Sequence, residues 1–166
     1  MRNKPVIVIN GSGGVGKDTL CEWVKQRIPT RIVSSVDPIK RLAAEGGWRG
    51  EKDESGRLLL VRLKQAFVEY NDLPLRYLTE EYQKYLKSEE RVMFVHIREP
   101  KEIEKFRAAV GENCKTLLVT RDTGVCWHNE SDGGVNEYEY DYTFPNDAPL
   151  PEAREAFYTL IEKILS

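Results

Sequence analysis

The sequence predicts an α/β protein built around a parallel sheet. Three observations lead there. Short β-branched runs without polar alternation, such as residues 5–10 (PVIVIN) and 91–98 (RVMFVHIR), read as strands buried on both faces. These runs alternate with amphipathic stretches of helical period, the order that lays crossover helices over parallel strands. A glycine-rich segment, residues 11–19 (GSGGVGKDT), joins the first run to the first amphipathic stretch.

In chain order, the first helix spans about 17–27, with Leu20, Trp23, Val24 and Ile28 on one stripe. Pro29 closes it. Residues 31–36 (RIVSSV) form the second strand. Asp37 then reads as an N-cap and Pro38 as the first helical position of a helix reaching Ala44, ended by Gly46 and Gly47. Residues 46–56 are polar and glycine-rich and read as a mobile loop. A helix over 57–70 is expected to bury Leu59, Leu63, Ala66, Phe67 and Tyr70, and one over 75–87 to bury Leu78, Tyr82, Tyr85 and Leu86. Residues 91–98 make the third strand. The helix over 100–110 turns Ile103, Phe106 and Val110 inward and ends at Gly111. Residues 114–121 make the fourth strand, and 122–139 a long aperiodic loop of the kind that carries function or stays disordered. A weaker fifth strand (140–144) precedes a helix over 151–165 with Ala153, Ala156, Phe157, Leu160, Ile161 and Ile164 inward. The stretch 37–88 is therefore a helical insertion within one expected domain, 1–166.

Composition narrows the function classes. The 166 residues correspond to about one domain. With 25 basic and 27 acidic residues and a net charge of -2, the chain lacks the basic excess that polynucleotide binding needs. Apolar runs such as Val6–Ile9 fall far short of a membrane span, and no signal peptide is expected. Cys21, Cys114 and Cys126 are odd in number and lack metal-type spacing, which fits a reducing cytoplasm. His96, inside an apolar strand, reads as a satisfied core residue. The other histidine, His128, supports no mechanism by itself.

Gly11-x4-Gly16-Lys17 is the central motif. Between a buried strand and an amphipathic helix, this spacing makes a phosphate-binding loop. Glycines let backbone N–H groups converge on phosphate oxygens, and the helix N-terminus adds donors and partial positive charge. Lys17 supplies a point charge for the outermost phosphates. The usual Ser or Thr after the lysine is replaced by Asp18, with Thr19 next. Asp18 either binds Mg²⁺, directly or through water, or favours the helix dipole as an acidic first-turn residue.

With these motifs in place, the chain resembles the P-loop nucleoside-monophosphate-kinase-like proteins, and most of all the deoxynucleoside monophosphate kinase and phosphomevalonate kinase group. Gly16-Lys17-Asp18-Thr19 is similar to that group's Gly-Lys-Asp ending, and Asp37-Pro38-Ile39-Lys40 to its Asp-Pro-Leu-Lys segment. Arg98-Glu99-Pro100-x-x-Ile103 resembles the Arg-x-x-x-Glu-type turn where such kinases meet the acceptor phosphate. Residues 140–147 (YDYTFPND) resemble its Asp-Tyr-x-x-x-Asn strand, and His128-x-x-Ser131-Asp132 is a weaker echo of its His-x-Ser-Glu. The resemblance implies a P-loop NTPase three-layer sandwich. Its five-stranded parallel sheet has the order 2-3-1-4-5, the insertion binds the acceptor, and 122–139 forms a lid.

These readings together imply an ATP-dependent small-molecule kinase using Mg²⁺ and acting on a small phosphorylated acceptor, a (deoxy)nucleoside monophosphate. The expected catalytic residues are Lys17, Arg98 and Arg121. Gly11, Ser12, Gly13, Gly14, Val15, Gly16, Lys17, Asp18, Thr19 and Asn146 are expected to hold the nucleotide, and Asp18 and Thr19 the metal. Asp37, Lys40, Arg57, Arg98 and Glu99 are expected to hold the acceptor, with Trp48 and Trp127 as candidates to stack on a base. Residues 122–139 contain no Lys or Arg, which departs from well-armed monophosphate kinases. That departure keeps two alternatives in view: a phosphomevalonate-type or other metabolite kinase, and a nucleotide-binding or NTP-hydrolysing module without an acceptor.

Overall fold

The computed structural model of the chain describes residues 4–121, 135 and 138–166. Expectations for Cys126, Trp127, His128, Ser131, Asp132 and most of the 122–139 segment lie outside the described residues. Five strands form the sheet: β1 (Val6–Asn10), β2 (Thr30–Ser34), β3 (Val92–His96), β4 (Cys114–Thr120) and β5 (Tyr142–Pro145). Their order is β2-β3-β1-β4-β5, and every pair is parallel.

The six helices described are α1 (Lys17–Arg27), α2 (Asp37–Glu45), α3 (Glu54–Asn71), α4 (Leu73–Leu86), α5 (Pro100–Val110) and α6 (Leu150–Leu165). Strand β1 shows why its run carries no polar alternation. Ile7 and Ile9 join the core with Leu20, Val24, Phe157 and Ile161 of α1 and α6. Val6 and Val8 join a second core with Leu78, Tyr85, Ile103 and Phe106 of α4 and α5. Helices thus cover both faces of the sheet, and alternate residues of one strand are buried on opposite sides. Phe157 anchors the first core, with its ring 5.2 Å from that of Phe144 and 6.3 Å from that of Phe94.

Several boundaries move for local reasons. Strand β2 stops at Ser34 because the Asp37 carboxylate accepts a hydrogen bond from the Ser34 backbone N–H at 2.8 Å and closes the corner. Asp37 is accordingly the first residue of α2 and not a side-chain cap of it. The 46–56 loop ends early. Asp53 caps α3, its Oδ1 accepting from the Gly56 N–H at 2.7 Å, and Glu54 starts the helix. Gly56 fits tightly there, since a Cβ would come within 2.4 Å of the Glu51 carbonyl oxygen. Strand β5 begins two residues late because Asp141 is held outside the ladder, its Oδ2 accepting from both the N–H and the hydroxyl of Thr116.

Predicted core assignments are corrected on three helices, and on α4 Leu86 is exposed rather than buried. On α3, Leu59, Ala66 and Tyr70 are exposed, while Leu63 and Phe67 are half-buried. The less exposed stripe of the helix is Leu60, Leu63, Lys64, Phe67, Val68 and Asn71, rotated from the predicted one, and the helix lies beside α2 and α4. Ala156 of α6 is exposed as well, because that helix turns Ala153, Phe157 and Ile161 to the sheet. Tyr85 of α4 is fully buried as expected, its hydroxyl donating to the Pro5 carbonyl oxygen at 2.8 Å. No described helix is long and apolar enough to cross a membrane.

The thiols of Cys21 and Cys114 are buried. Burial pushes the Cys21 thiol well up and the Cys114 thiol up to about 12. Because the thiolate is the reactive form, neither residue should label with iodoacetamide at pH 8 in the folded chain. Both should label in urea, read by peptide mass mapping.

Candidate active site

The C-terminal edge of an open parallel sheet is where ligands dock, and the predicted phosphate loop lies there, after β1. The loop leaving β1 begins at Gly11, which has no room for a side chain: a Cβ would lie 2.6 Å from the Val119 carbonyl oxygen of β4. It closes at Gly16, left-handed at φ 86, immediately before α1. A Cβ at Gly16 would lie 2.8 Å from the Asn146 amide nitrogen. Asn146 is buried and braces the loop, its amide donating to the Val15 carbonyl oxygen at 2.7 Å while its own N–H bonds the Thr120 carbonyl oxygen. Gly13 and Gly14 are exposed, Ser12 and Lys17 half-exposed, and Val15 is tucked into the core. Lys17 Nζ donates to the Gly11 carbonyl oxygen at 3.0 Å, which holds the ammonium over the loop.

Asn10, the last residue of β1, is a member of this site that the sequence reading missed. It is fully buried and makes three contacts. Its Oδ1 accepts from the Gly11 N–H at 2.9 Å. Its Nδ2 donates to the Arg98 carbonyl oxygen and to the Tyr140 hydroxyl, each at 3.0 Å. One buried amide therefore ties the start of the phosphate loop to the segment after β3. The available signal was a polar residue ending an apolar strand, because a buried polar group must be satisfied.

His96, expected to be a satisfied core residue, is mostly buried and also stands close to Asp18 of the phosphate loop. It ends β3 with its side chain 14% exposed, and its Nε2 lies 3.7 Å from Asp18 Oδ1. Burial holds its pKa below the ordinary value. Asp18 and Asp37 pull it up, while Lys17 and Arg98 push it down. The imidazole is thus neutral at neutral pH and sits among four residues singled out from the sequence. The strand-end rule that picked Arg98 applies equally to His96, two residues earlier on the same strand.

The other predicted residues are more dispersed. Asp37 accepts from the Tyr77 hydroxyl at 3.3 Å, and this contact with burial raises the Tyr77 phenol to about 12, burial being the larger cause. Glu99 is exposed and pairs with Lys64 of α3 at 3.3 Å. Lys64 also pairs with Glu102 at 3.0 Å, bridging α3 to the start of α5 beside Arg98. Lys40, Arg57 and Arg121 are exposed, on α2, on the first turn of α3 and just after β4. Trp48 donates to the Glu51 carbonyl oxygen at 3.2 Å and packs against Gly56.

Metal chemistry can be tested against the donors present. Among the described residues, no group of three or more His, Cys, Asp or Glu side chains forms a metal cage. Asp18 has its carboxylate 88% exposed at the start of α1, and the neighbouring Thr19 is exposed too. One open carboxylate beside a phosphate loop fits Mg²⁺, which is commonly held by one or two carboxylates together with substrate phosphates.

No family model matches the chain, and no curated protein matches it. Several solved structures are similar. One is APS kinase of Mycobacterium tuberculosis in complex with AMPPNP and APS, at 11% identity and TM-score 0.58, covering 98% of this chain and 99% of that one. Another is a tunicamycin resistance protein of Deinococcus radiodurans, at 11% identity and TM-score 0.60, covering 95% of each chain. A third is shikimate kinase of Bacteroides thetaiotaomicron, at 15% identity and TM-score 0.50, covering 97% and 98%. At these identities the likeness is one of fold. The chain has the five-stranded parallel architecture of P-loop kinases, in the strand order that the resemblance implied.

Proposed function

We propose that the chain is an ATP-dependent kinase that transfers the γ-phosphoryl group to the phosphate of a (deoxy)nucleoside monophosphate. The observation that carries this reading is the single sheet edge at which the phosphate loop and Arg98 meet, joined through the buried Asn10 amide. Phosphoryl transfer depends mostly on positioning and on positive charge around the transferring group, and this edge supplies both. An acceptor phosphate oxygen attacks the γ-phosphorus, the bond to the ADP oxygen breaks, and ADP leaves. Lys17 and the loop N–H groups from Gly11 to Thr19 stabilise the charge on the transferring group. Arg98 holds the acceptor phosphate, and Arg121, at the end of β4, completes the clamp from the nucleotide side.

Asp18, with Thr19, would hold Mg²⁺, which neutralises charge on the β- and γ-phosphates. In this reading Lys40 of α2 and Arg57 of α3 are further acceptor contacts, and Asp37 and Glu99 meet acceptor hydroxyl groups. The resemblance supports a nucleotide acceptor, through Asp37-Pro38-Ile39-Lys40 and the Arg98 turn.

A second reading, phosphorylation of a hydroxyl on another small metabolite, is favoured by one observation. Asp37 and the neutral His96, both proton acceptors, stand at the edge where the acceptor docks. An ADP-release screen separates the readings. Turnover is expected with at least one nucleoside monophosphate and none with sugars or hydroxy acids. Turnover only with hydroxyl acceptors, or ADP release that no acceptor accelerates, overturns the nucleotide assignment.

A further inference from the structure

Helix α3 exposes several large apolar side chains. Of its 18 residues, Gly56 alone is buried. Leu58, Leu59, Val61 and Tyr70 expose 46%, 40%, 52% and 81% of their surface. At 3.6 residues per turn Leu58, Leu59 and Tyr70, with the exposed Ala66, share one side of the helix, while Val61 lies opposite Tyr70. Leu59, Ala66 and Tyr70 of this side, with the half-buried Leu63 at its edge, follow the i, i+4, i+7, i+11 spacing of a coiled-coil seam. Two opposite charges seven residues apart, Arg62 and Glu69, flank the seam on one side. Both are exposed, and neither has an ion-pair partner among the described residues.

We propose that α3 is a homodimer interface, on which a second copy of the chain packs antiparallel. The helix is complementary to itself in that arrangement only. A two-fold axis near Lys64 and Gln65 sets Leu59 against the partner's Tyr70 and Leu63 against the partner's Ala66, alternating large with small across the seam. The same axis brings Arg62 against the partner's Glu69, and symmetry makes that pair twice. A parallel copy would instead place Arg62 beside the partner's Phe67 and leave both charges unpaired. The seam is separate from the phosphate loop, so the proposal does not depend on the kinase reading.

Sedimentation velocity at tens of micromolar tests it. The wild-type chain should run at twice its 19.1 kDa mass. Ala66→Glu puts a charge into the seam on a side chain that touches no core, and should weaken dimerisation by about 100-fold or more with an unchanged melting temperature. Arg62→Glu and Glu69→Arg should each weaken it by about tenfold, and the double exchange should restore it. A monomeric wild type, or a dimer indifferent to Ala66→Glu, overturns the interface. A double exchange that fails to restore the dimer overturns the antiparallel register. A monomeric wild type that co-sediments with vesicles of acidic lipid assigns the stripe to a membrane surface and overturns the proposal equally.

Discussion

Lys17→Ala is expected to lower kcat/KM for ATP by about 10³-fold, equivalent to about 4 kcal/mol of transition-state stabilisation. The ammonium already lies over the loop, 3.0 Å from the Gly11 carbonyl oxygen, before any ligand is considered. Little reorganisation is needed for it to meet the outermost phosphates, and such preorganised charge is where most phosphoryl-transfer catalysis resides. Stability should change little. The residue is half-exposed, and removing one hydrogen bond of this kind costs about 1 kcal/mol. Lys17→Arg is expected to recover only part of the rate, because a planar fork does not replace a compact point charge. Coupled ADP-release kinetics, with a thermal melt on the same samples, check both expectations. Turnover that survives Lys17→Ala would remove the phosphate loop from the mechanism.

Much of this site was legible because it is local in sequence. The strand, glycine loop and helix from Val6 to Arg27 are specified by neighbours, so one motif placed Gly11, Gly16 and Lys17 together. Buried strands β1 and β3 were legible for a related reason: runs apolar at every position, Val6–Ile9 and 92–95, have few homes other than a sheet covered on both faces.

What failed depended on contacts between distant residues. His96 looked like core because its sequence neighbours are apolar. Its position at the strand's end, 3.7 Å from Asp18 of α1, was not legible from those neighbours. Asp37 looked like an N-cap, but its carboxylate bonds backward to Ser34 and across to Tyr77, forty residues away. For α3, the period placed Leu59, Ala66 and Tyr70 on the same buried stripe as Leu63 and Phe67, and only the last two are half-buried. Which side of an isolated amphipathic helix is covered depends on α2 and α4, which sequence neighbours do not reveal.

Asn10→Ala is expected to be the most damaging single polar substitution in the fold, costing about 3 kcal/mol and lowering the melting temperature by about 6–12 °C. Alanine leaves the Gly11 N–H and the Arg98 carbonyl oxygen without the partner they share, in a position with no solvent exposure. The Tyr140 hydroxyl is less affected, because it still donates to the Val135 carbonyl oxygen at 2.7 Å. Catalysis should fall further than the folded fraction does, since the lost amide also sets where Arg98 leaves β3. Asn10→Asp is the sharper probe, because it keeps the shape and the acceptor for Gly11 but removes the donor. At neutral pH its second oxygen would face the Arg98 carbonyl oxygen, acceptor against acceptor, so burial and this repulsion raise the carboxyl's folded pKa above its unfolded value. The protonated acid, by contrast, donates to that carbonyl as the amide does. The linkage sign follows: the variant is relatively most stable below the unfolded carboxylate pKa of about 3.9, and loses stability as pH rises through the raised folded value. The stability gap between Asn10→Asp and the wild type, read from urea midpoints, should therefore be smaller at pH 4 than at pH 7. A gap independent of pH would mean that the Asn10 donor does not hold the Arg98 segment to the phosphate loop.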